Sequence, residues 1–167
     1  MEVGLRKMNL QEFESFCEYS INDYIKDLMK EQEITLEEAL NQAQKEFTDM
    51  LPEGINTTDN SLMMIENVYT EKAVGIIWYL YEIIEGKKQV FLNDFIIYEN
   101  HRRKGYATAA LDKMVYNAKQ DGCTQSIIYV WKHNLPGINL YTKCGYTTFR
   151  ELDDGMYMKK EIAYNKF

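Results

Sequence analysis

Three consecutive strand-like segments that run straight into a basic turn constrain the fold of this chain more than any other feature. Residues 62–69, 73–84 and 89–98 are rich in Ile, Val, Phe and Tyr, the residue types enriched in β-strands. The intervening stretches, 70–72 and 85–88, are short and polar and therefore suit hairpin turns. This pattern predicts three antiparallel neighbours in one sheet.

Helical periodicity precedes and follows these strands. Residues 9–30 carry apolar side chains at steps of three and four, and a second helix begins at Thr35, where Thr35 and Glu38 form a capping box. The later elements alternate between helix and strand: a helix over about 104–120, a strand over 126–131, a short helix from Asn134 to Gly145, and strands over 146–151 and 155–162. The predicted order is ααβββαβαββ, an α+β or α/β class with a mixed sheet.

Length, charge and cysteine content limit the function classes. The chain has 167 residues, which predicts a single domain over 1–167. Its 26 acidic and 19 basic side chains give a net charge of −7, which argues against general nucleic-acid binding. Its 3 cysteines fit neither a disulfide framework nor a metal site. We find no signal-peptide pattern and no apolar run of the ~18–20 residues that a membrane span needs, so we expect a cytoplasmic protein without metal.

A basic turn at the start of a helix is the first chemically informative motif. Residues 102–107, Arg-Arg-Lys-Gly-Tyr-Ala, follow a predicted strand and open the helix over about 104–120. The free N–H groups of a first helical turn bind anions, and Gly105 allows close approach of a ligand to the backbone. The turn therefore predicts a phosphate or pyrophosphate ligand, although such a string alone also fits a solvated helix start. Neither GxxxxGK[ST] nor GxGxxG occurs.

Two motifs together resemble the GCN5-related N-acetyltransferase (GNAT) superfamily. The Arg-x-x-Gly-x-Ala pattern from Arg102 to Ala107 resembles the coenzyme A loop of that family. Residues 134–146, Asn-Leu-Pro-Gly-Ile-Asn-Leu-Tyr-Thr-Lys-Cys-Gly-Tyr, are similar to its Asn-x-x-Ala-x-x-Leu-Tyr-x-Lys-x-Gly-Phe signature, with Gly137 in place of the usual Ala. The resemblance covers about residues 3–162. It implies an α+β, sandwich-like fold whose mixed, mostly antiparallel sheet of about six to seven strands is flanked by helices, and acetyl-CoA as cosubstrate.

The resemblance also implies which residues surround the cofactor. The turn and the first helical residues would hold the pyrophosphate, mostly through backbone N–H groups: Arg102, Arg103, Lys104, Gly105, Tyr106, Ala107 and Thr108. Ile96 and Ile97 would lie on a splayed strand whose backbone pairs with the pantetheine arm, and Asn134 would contact the same arm. Tyr141 would lie near the sulfur and donate a proton to the departing thiolate.

The general base and the acceptor pocket are less constrained by the sequence. Asp94 lies just before Ile97 and is the first candidate base, with a hydrogen-bonded structural carboxylate as an equally weighted alternative. Glu66 and Glu82 are the next candidates, and either could equally face solvent. Trp78, like the neighbouring tyrosines, could line a substrate pocket or simply pack well in a sheet.

The sequence thus favours an N-acetyltransferase that transfers an acetyl group to a primary amine of a small molecule by direct attack. A non-catalytic domain that binds or senses acyl-CoA is one alternative, and acetylation of a protein or peptide amine is another. The exposed edge of such a sheet often pairs with a second copy, so a homodimer is compatible with the sequence.

Overall fold

The computed structural model describes residues 1–163, which divide into two compact units. One unit is residues 8–58. The other is residues 1–7 together with the described chain from Asp59 onward. Each is treated by itself below, and the expectation of one domain over 1–167 stays a prediction. No helix within residues 1–163 is long and apolar enough to cross a membrane.

The smaller unit consists of two capped helices and a short 3-10 turn. Helix α1 spans Leu10–Glu31 and helix α2 spans Leu36–Met50, as the periodicity predicts. Asn9 caps α1 and Thr35 caps α2, each in a capping box in which two N–H groups at the helix start are satisfied reciprocally. The two helices bury an apolar cluster that contains Ile25, Leu28, Ala39 and Ala43.

A seven-stranded sheet forms the larger unit. The strands are β1 (Val3–Lys7), β2 (Asn60–Asn67), β3 (Ala73–Ile84), β4 (Lys87–Ile97), β5 (Gln125–Trp131), β6 (Thr147–Glu151) and β7 (Gly155–Glu161). Their spatial order is β1-β2-β3-β4-β5-β7-β6, and every neighbouring pair is antiparallel except β4 and β5. This confirms the mixed, mostly antiparallel sheet and the hairpins that the central segment predicts.

Strand β1 was absent from the sequence-based order, which is corrected to βααβββαβαββ. The strand has only five residues and ends in Arg6 and Lys7, so it shows no clear alternation of apolar and polar side chains. It becomes a strand because it pairs antiparallel with β2, with Val3 opposite Asn67 and Lys7 opposite Met63. A partner so distant in the chain leaves no local pattern to recognise.

Two further helices complete the larger unit: α3 (Tyr106–Gln120) and α4 (Leu135–Lys143). Helix α3 packs on β1 and β4 and buries its apolar stripe in the main core. Its contributions to that core include Ala110, Leu111, Met114 and Ala118, which lie in the same cluster as Val90, Leu92, Ile128 and Val130 of the central strands. Helix α3 therefore covers the central strands on one face of the sheet.

Candidate active site

The parallel pair at the centre of the sheet separates along its length. Strands β4 and β5 pair only from Gln89 opposite Gln125 to Leu92 opposite Ile128. Beyond that point β4 continues to Ile97 along β3, and β5 continues to Trp131 along β7. The two strands therefore diverge, and the β5-facing backbone groups of residues 93–97 have no ladder partner on β5. A ligand that lies between the strands could pair with them.

A β-bulge marks the point of divergence. Trp78 lies opposite Asp94 and Tyr79 lies opposite Leu92, so Asn93 is an extra residue on β4 without a partner on β3. A bulge bends its strand and redirects the side chains next to it, and bulges are frequent near active sites. The bulge therefore lies just beyond the last pair between β4 and β5, where the two strands begin to diverge.

Gly75 allows the far end of β4 to stay close to β3. A Cβ atom at this position would overlap the Ile96 carbonyl oxygen and lie 3.1 Å from the Ile97 Cα. Both obstructing groups are backbone, which cannot rotate away as a flexible side chain can. Glycine at residue 75 thus lets the end of β4 that diverges from β5, at Ile96 and Ile97, stay paired with β3.

The start of helix α3 leaves its first N–H groups available. Gly105 is the N-cap residue, with a left-handed φ of 86°, and no side chain caps the helix. Arg103 also has a positive φ, 56°, which is uncommon for a residue other than glycine. Without a capping side chain, the backbone N–H groups of Tyr106, Ala107 and Thr108 keep the unpaired donors that favour an anion. The phosphate site stays a prediction, and these N–H groups are the ones that would form it.

The three adjacent cations of this turn are not equivalent. Arg102 donates from Nε to the Ile97 carbonyl oxygen at 2.9 Å, and Lys104 donates from Nζ to the Asn100 carbonyl oxygen at 2.8 Å. These two side chains thus hold the turn together and tie it to the end of β4. Arg103 has no hydrogen-bond or ion-pair partner among residues 1–163 and is exposed, so it is the cation best able to meet a phosphate.

Tyr106 contributes its backbone rather than its side chain. The ring is buried, its hydroxyl accepts a hydrogen bond from Asn67 Nδ2 at 2.8 Å, and the His101 ring packs edge-on against it. These contacts fix the first residue of α3 against the end of β2. Ala107, at the second helical position, is small enough not to obstruct a ligand.

Asn134 acts as the N-cap of helix α4. Its Oδ1 accepts a hydrogen bond from the Gly137 N–H at 3.0 Å. A Cβ at residue 137 would come within 2.6 Å of the Asn134 Nδ2, so glycine at this position makes room for the capping side chain. The predicted contact between Asn134 and the pantetheine arm stays a prediction, with the exposed Nδ2 as the group that could make it.

Tyr141 on α4 combines a half-buried ring with an unused hydroxyl. Its ring packs edge-on against that of Tyr146, 6.0 Å between centroids, and its hydroxyl makes no hydrogen bond within residues 1–163. Burial raises the pKa of Tyr141 above its ordinary value, and the nearby Tyr146, Asp94 and Cys144 raise it further. The phenol therefore stays protonated at neutral pH and is available as a proton donor.

Asp94 supplies a negative charge close enough to act on Tyr141. Its Oδ1 accepts a hydrogen bond from the Phe95 N–H at 2.8 Å, which orients the carboxylate at the bulge. Its charge is one of the causes that raise the Tyr141 pKa. The tertiary structure thus brings together the predicted proton donor and the first candidate base, which come from α4 and β4.

The other predicted pocket residues lie elsewhere in the sheet. Glu66, two strands from β4, is ion-paired with Arg6 at 2.8 Å. Glu82 accepts a hydrogen bond from Gln89 and lies about 13 Å along β3 from Trp78, the residue opposite Asp94. Trp78 is 1% exposed, and its indole donates to Asn60 at 2.7 Å, which favours the packing interpretation for this residue.

Two asparagines near the site were not singled out by the sequence. Asn67 holds Tyr106, and Asn93 forms the bulge. Neither asparagine belongs to a motif. The signal that could have identified Asn93 is its place as a polar residue in a mostly apolar strand, at residues 91–95, Phe-Leu-Asn-Asp-Phe. Among the described residues, no three His, Cys, Asp or Glu side chains cluster in a way that could hold a metal ion.

Comparison with known proteins identifies the family of this chain. The profile of the Acetyltransferase (GNAT) family matches residues 21–146, well over half of the chain. The chain belongs to the GNAT acetyltransferase family. This membership makes it an acetyltransferase and confirms the family that the two motifs indicate.

Two curated relatives in this GNAT family come from Bacillus subtilis. The uncharacterised N-acetyltransferase YycN is 30% identical over 159 residues, 95% of this chain and 99% of YycN. The uncharacterised N-acetyltransferase YdgE is 28% identical over 146 residues, 87% of this chain and 92% of YdgE. The matches cover nearly the whole of each protein, so they extend over both units described above.

Solved structures show the same fold. The crystal structure of YycN superposes with a TM-score of 0.80 over 90% of this chain and 94% of that chain. Spermidine N-acetyltransferase from Vibrio cholerae, in complex with CoA and spermine, has a TM-score of 0.68 at 15% identity, over 96% of each chain. At that identity the second similarity establishes the fold alone.

Proposed function

We propose that this GNAT acetyltransferase transfers the acetyl group of acetyl-CoA to a primary amine of a small molecule, by direct attack and without a covalent enzyme intermediate. The observation that carries the proposal is that Asp94, on β4 just beyond its last pair with β5, lies near enough to Tyr141 for its charge to raise the Tyr141 pKa. Amine acetylation requires a proton donor and a proton acceptor near each other, here beside strand backbone that has no ladder partner on β5.

Acetyl-CoA is the cosubstrate of this acetyltransferase family, and the residues present fit it. The uncapped start of α3, at residues 106–108, would hold the pyrophosphate through backbone N–H groups, with Arg103 as the available cation. The unpaired edge of β4 at Ile96 and Ile97 would pair with the pantetheine arm. When bound, the cosubstrate supplies the activated acetyl group, and the chain supplies position and proton transfer.

The proposed roles of Asp94 and Tyr141 follow from the proton balance. The amine nitrogen forms a bond to the carbonyl carbon, the carbon–sulfur bond breaks, and the products are an N-substituted acetamide and a free thiol. The nitrogen gives up one proton, which Asp94 accepts directly or through water. The sulfur gains one proton, which Tyr141 donates. Transfer of a proton from Asp94 back to Tyr141 through solvent restores both groups.

A raised pKa is compatible with this role of Tyr141. The phenol must hold its proton until sulfur becomes negative, and burial together with Asp94 keeps it protonated. The same burial and the same carboxylate raise the proton affinity of a thiolate formed beside them. The pKa values of the phenol and of the thiol are thereby raised together, so the proton can still pass from Tyr141 to the sulfur.

A small-molecule amine is the proposed acceptor class. Spermidine N-acetyltransferase from Vibrio cholerae, a protein of the same fold, was crystallised with CoA and spermine, which supports testing polyamines first. The net charge of −7 also favours a cationic amine over an anionic acceptor.

The experiment is an acceptor panel with acetyl-CoA, thiol detection and mass spectrometry of the products. The panel would contain polyamines, amino acids, aminoglycosides and peptides with a free N-terminus. We expect acceptor-dependent thiol release with one class of small amines and a product heavier by one acetyl group. Binding of CoA without turnover across the panel would instead favour the non-catalytic domain, and turnover confined to peptides would overturn the small-molecule acceptor.

A further inference from the structure

The carboxylate of Asp154, in the turn between β6 and β7, has one oxygen in use and one available. Its Oδ1 accepts a hydrogen bond from the Tyr129 hydroxyl at 2.6 Å, and the Asp154 carbonyl oxygen accepts one from the Lys132 N–H at 3.0 Å. Its Oδ2 accepts no hydrogen bond and forms no ion pair within residues 1–163, and this oxygen is open to solvent. The side chain is thus fixed in direction while one oxygen remains available to a donor from outside the chain.

Gly155 makes this arrangement of Asp154 possible. A Cβ at residue 155 would lie 2.3 Å from the Tyr129 Oη and 2.7 Å from the Val130 carbonyl oxygen. Any other residue would therefore push the Tyr129 ring away from the start of β7, and its hydroxyl could no longer reach the carboxylate. The backbone of β7 is thus shaped to let Tyr129 hold the Asp154 carboxylate.

The Asp154 carboxylate lies on the face of the sheet opposite α3. Side chains alternate between the two faces along a strand. Ile128 and Val130 belong to the apolar core that contains the buried stripe of α3, so Tyr129, between them on β5, projects from the opposite face. The Tyr129 ring packs there against the ring of Tyr157, its partner on β7, with 5.1 Å between centroids. The Asp154 carboxylate, bonded to the Tyr129 hydroxyl, therefore lies on that same face.

Asp94 also lies on the face opposite α3. Its partner on β3 is Trp78, whose neighbours Ile77 and Tyr79 both belong to the core that α3 covers. The Trp78 and Asp94 side chains therefore project from the other face. Tyr141, in contrast, packs against the core beneath α3. On the proposed function, an amine that gives its proton to Asp94 therefore approaches from the face opposite α3.

Asp154 is too far from Asp94 for one nitrogen to contact both carboxylates. Asp94 belongs to β4 and Asp154 directly precedes β7, and β5 lies between those two strands. Two strand spacings amount to roughly 10 Å, and the divergence of β4 from β5 adds to this distance. A nitrogen that reacts beside Asp94 must lose its positive charge, whereas the available oxygen of Asp154 favours a nitrogen that keeps it. Asp154 therefore fits a second, non-reacting ammonium group of the same acceptor.

We propose that Asp154 binds a second ammonium group of the acceptor, so that the substrates of this acetyltransferase are diamines and longer polyamines. The inference rests on the proposed function and narrows its acceptor class. The Asp154 carboxylate anchors one end of the molecule while the nitrogen at the other end reacts beside Asp94. The anchored end holds the reacting nitrogen near the thioester, and a monoamine lacks this positioning.

The test compares diamines with monoamines of equal carbon number. The pairs are diaminobutane with butylamine, diaminohexane with hexylamine and diaminooctane with octylamine. Values of kcat/KM are measured at saturating acetyl-CoA for the wild type, Asp154→Asn and Asp153→Asn. Asparagine at residue 154 keeps an oxygen for the Tyr129 hydroxyl and removes the charge, so the turn should stay folded. Asp153→Asn makes the same charge change at the neighbouring, exposed position and is the matched control.

We expect the wild-type kcat/KM to be at least about tenfold higher for the diamine than for the monoamine at the best chain length. Asp154→Asn should lower the value for that diamine by about 10–100-fold, as expected for the loss of a charged hydrogen bond, and leave the value for the monoamine within about twofold. Asp153→Asn should change neither value by more than about twofold, because its side chain is exposed. The melting temperatures of the three proteins should agree closely.

Failure of this inference is distinguishable from failure of the proposed function. If the wild type acetylates both members of every pair equally well, the role of Asp154 is wrong while amine acetylation stands. The same holds if Asp154→Asn loses diamines and monoamines alike, or if Asp153→Asn loses diamines to the same extent, which would indicate a general effect of charge. Absence of turnover with every amine would overturn both proposals.

Discussion

Replacement of Tyr141 by Phe tests the proposed proton donor with little disturbance of the fold. The Tyr141 hydroxyl makes no hydrogen bond within the described chain, so its removal should change the free energy of unfolding by less than about 0.5 kcal/mol. General acid catalysis contributes about 10²–10⁴-fold to a rate. We therefore expect kcat to fall by about that factor, equivalent to roughly 3–5 kcal/mol of activation free energy, with CoA affinity unchanged.

Tyr146→Phe is the matched control for this substitution. The Tyr146 ring packs edge-on against that of Tyr141, but its hydroxyl shares a 2.7 Å hydrogen bond with the fully buried Ser126. Loss of that bond leaves the Ser126 hydroxyl without this partner and should cost about 1–3 kcal/mol of stability. The control should therefore lose stability and keep its rate, while Tyr141→Phe keeps its stability and loses its rate.

The assay is a rapid-quench single-turnover measurement with acetyl-CoA and the best amine of the panel, combined with thermal and urea denaturation. Single turnover reports the chemical step even where product release limits kcat. The pH dependence adds an independent check. A proton donor loses activity as pH rises through its pKa, and that of Tyr141 is raised above ~10, so this group should cause no decline between pH 7 and 9. A single-turnover rate in Tyr141→Phe within twofold of the wild type would refute the role.

The remaining predictions concern the cofactor site. Arg103→Ala should weaken CoA binding, and the loss of affinity should be smaller at high salt. Arg102→Ala should mainly lower the stability of the protein, because the Arg102 side chain holds the turn. Calorimetry that shows an equal loss of CoA affinity in both variants would contradict this prediction. Gly75→Ala should force β3 and β4 apart, which should lower the free energy of unfolding by about 1–3 kcal/mol and also lower CoA affinity. Denaturation curves identical to those of the wild type would contradict this prediction. Gly137→Ala should displace Asn134 from its cap while it improves helix propensity, so the two effects of about 1 kcal/mol each should nearly cancel in thermal denaturation.

Local sequence patterns were sufficient for most of the elements and for the basic turn at the start of α3. The composition of residues 73–84 and the polar turns beside them predicted β3 with the bounds that the structure shows, because both are properties of neighbouring positions. The capping box at Thr35 and the glycine at residue 105 likewise indicate where a helix begins, which depends on the backbone within a few residues. The family resemblance rests on two such local motifs, so it too was visible before the tertiary structure.

What the tertiary structure decided depends on contacts between distant parts of the chain. Strand β1 exists because it pairs with β2, and Asn93 becomes a bulge because Trp78 and Tyr79 fix the register on either side of it. Registers, bulges and burial are set by the partner strand, which a linear pattern does not specify. The sequence by itself thus determined the family, every element except β1, and the position of the basic turn at the start of α3. Only the tertiary structure determined that β4 diverges from β5 at Asn93 and that Asp94 lies near enough to Tyr141 to raise its pKa.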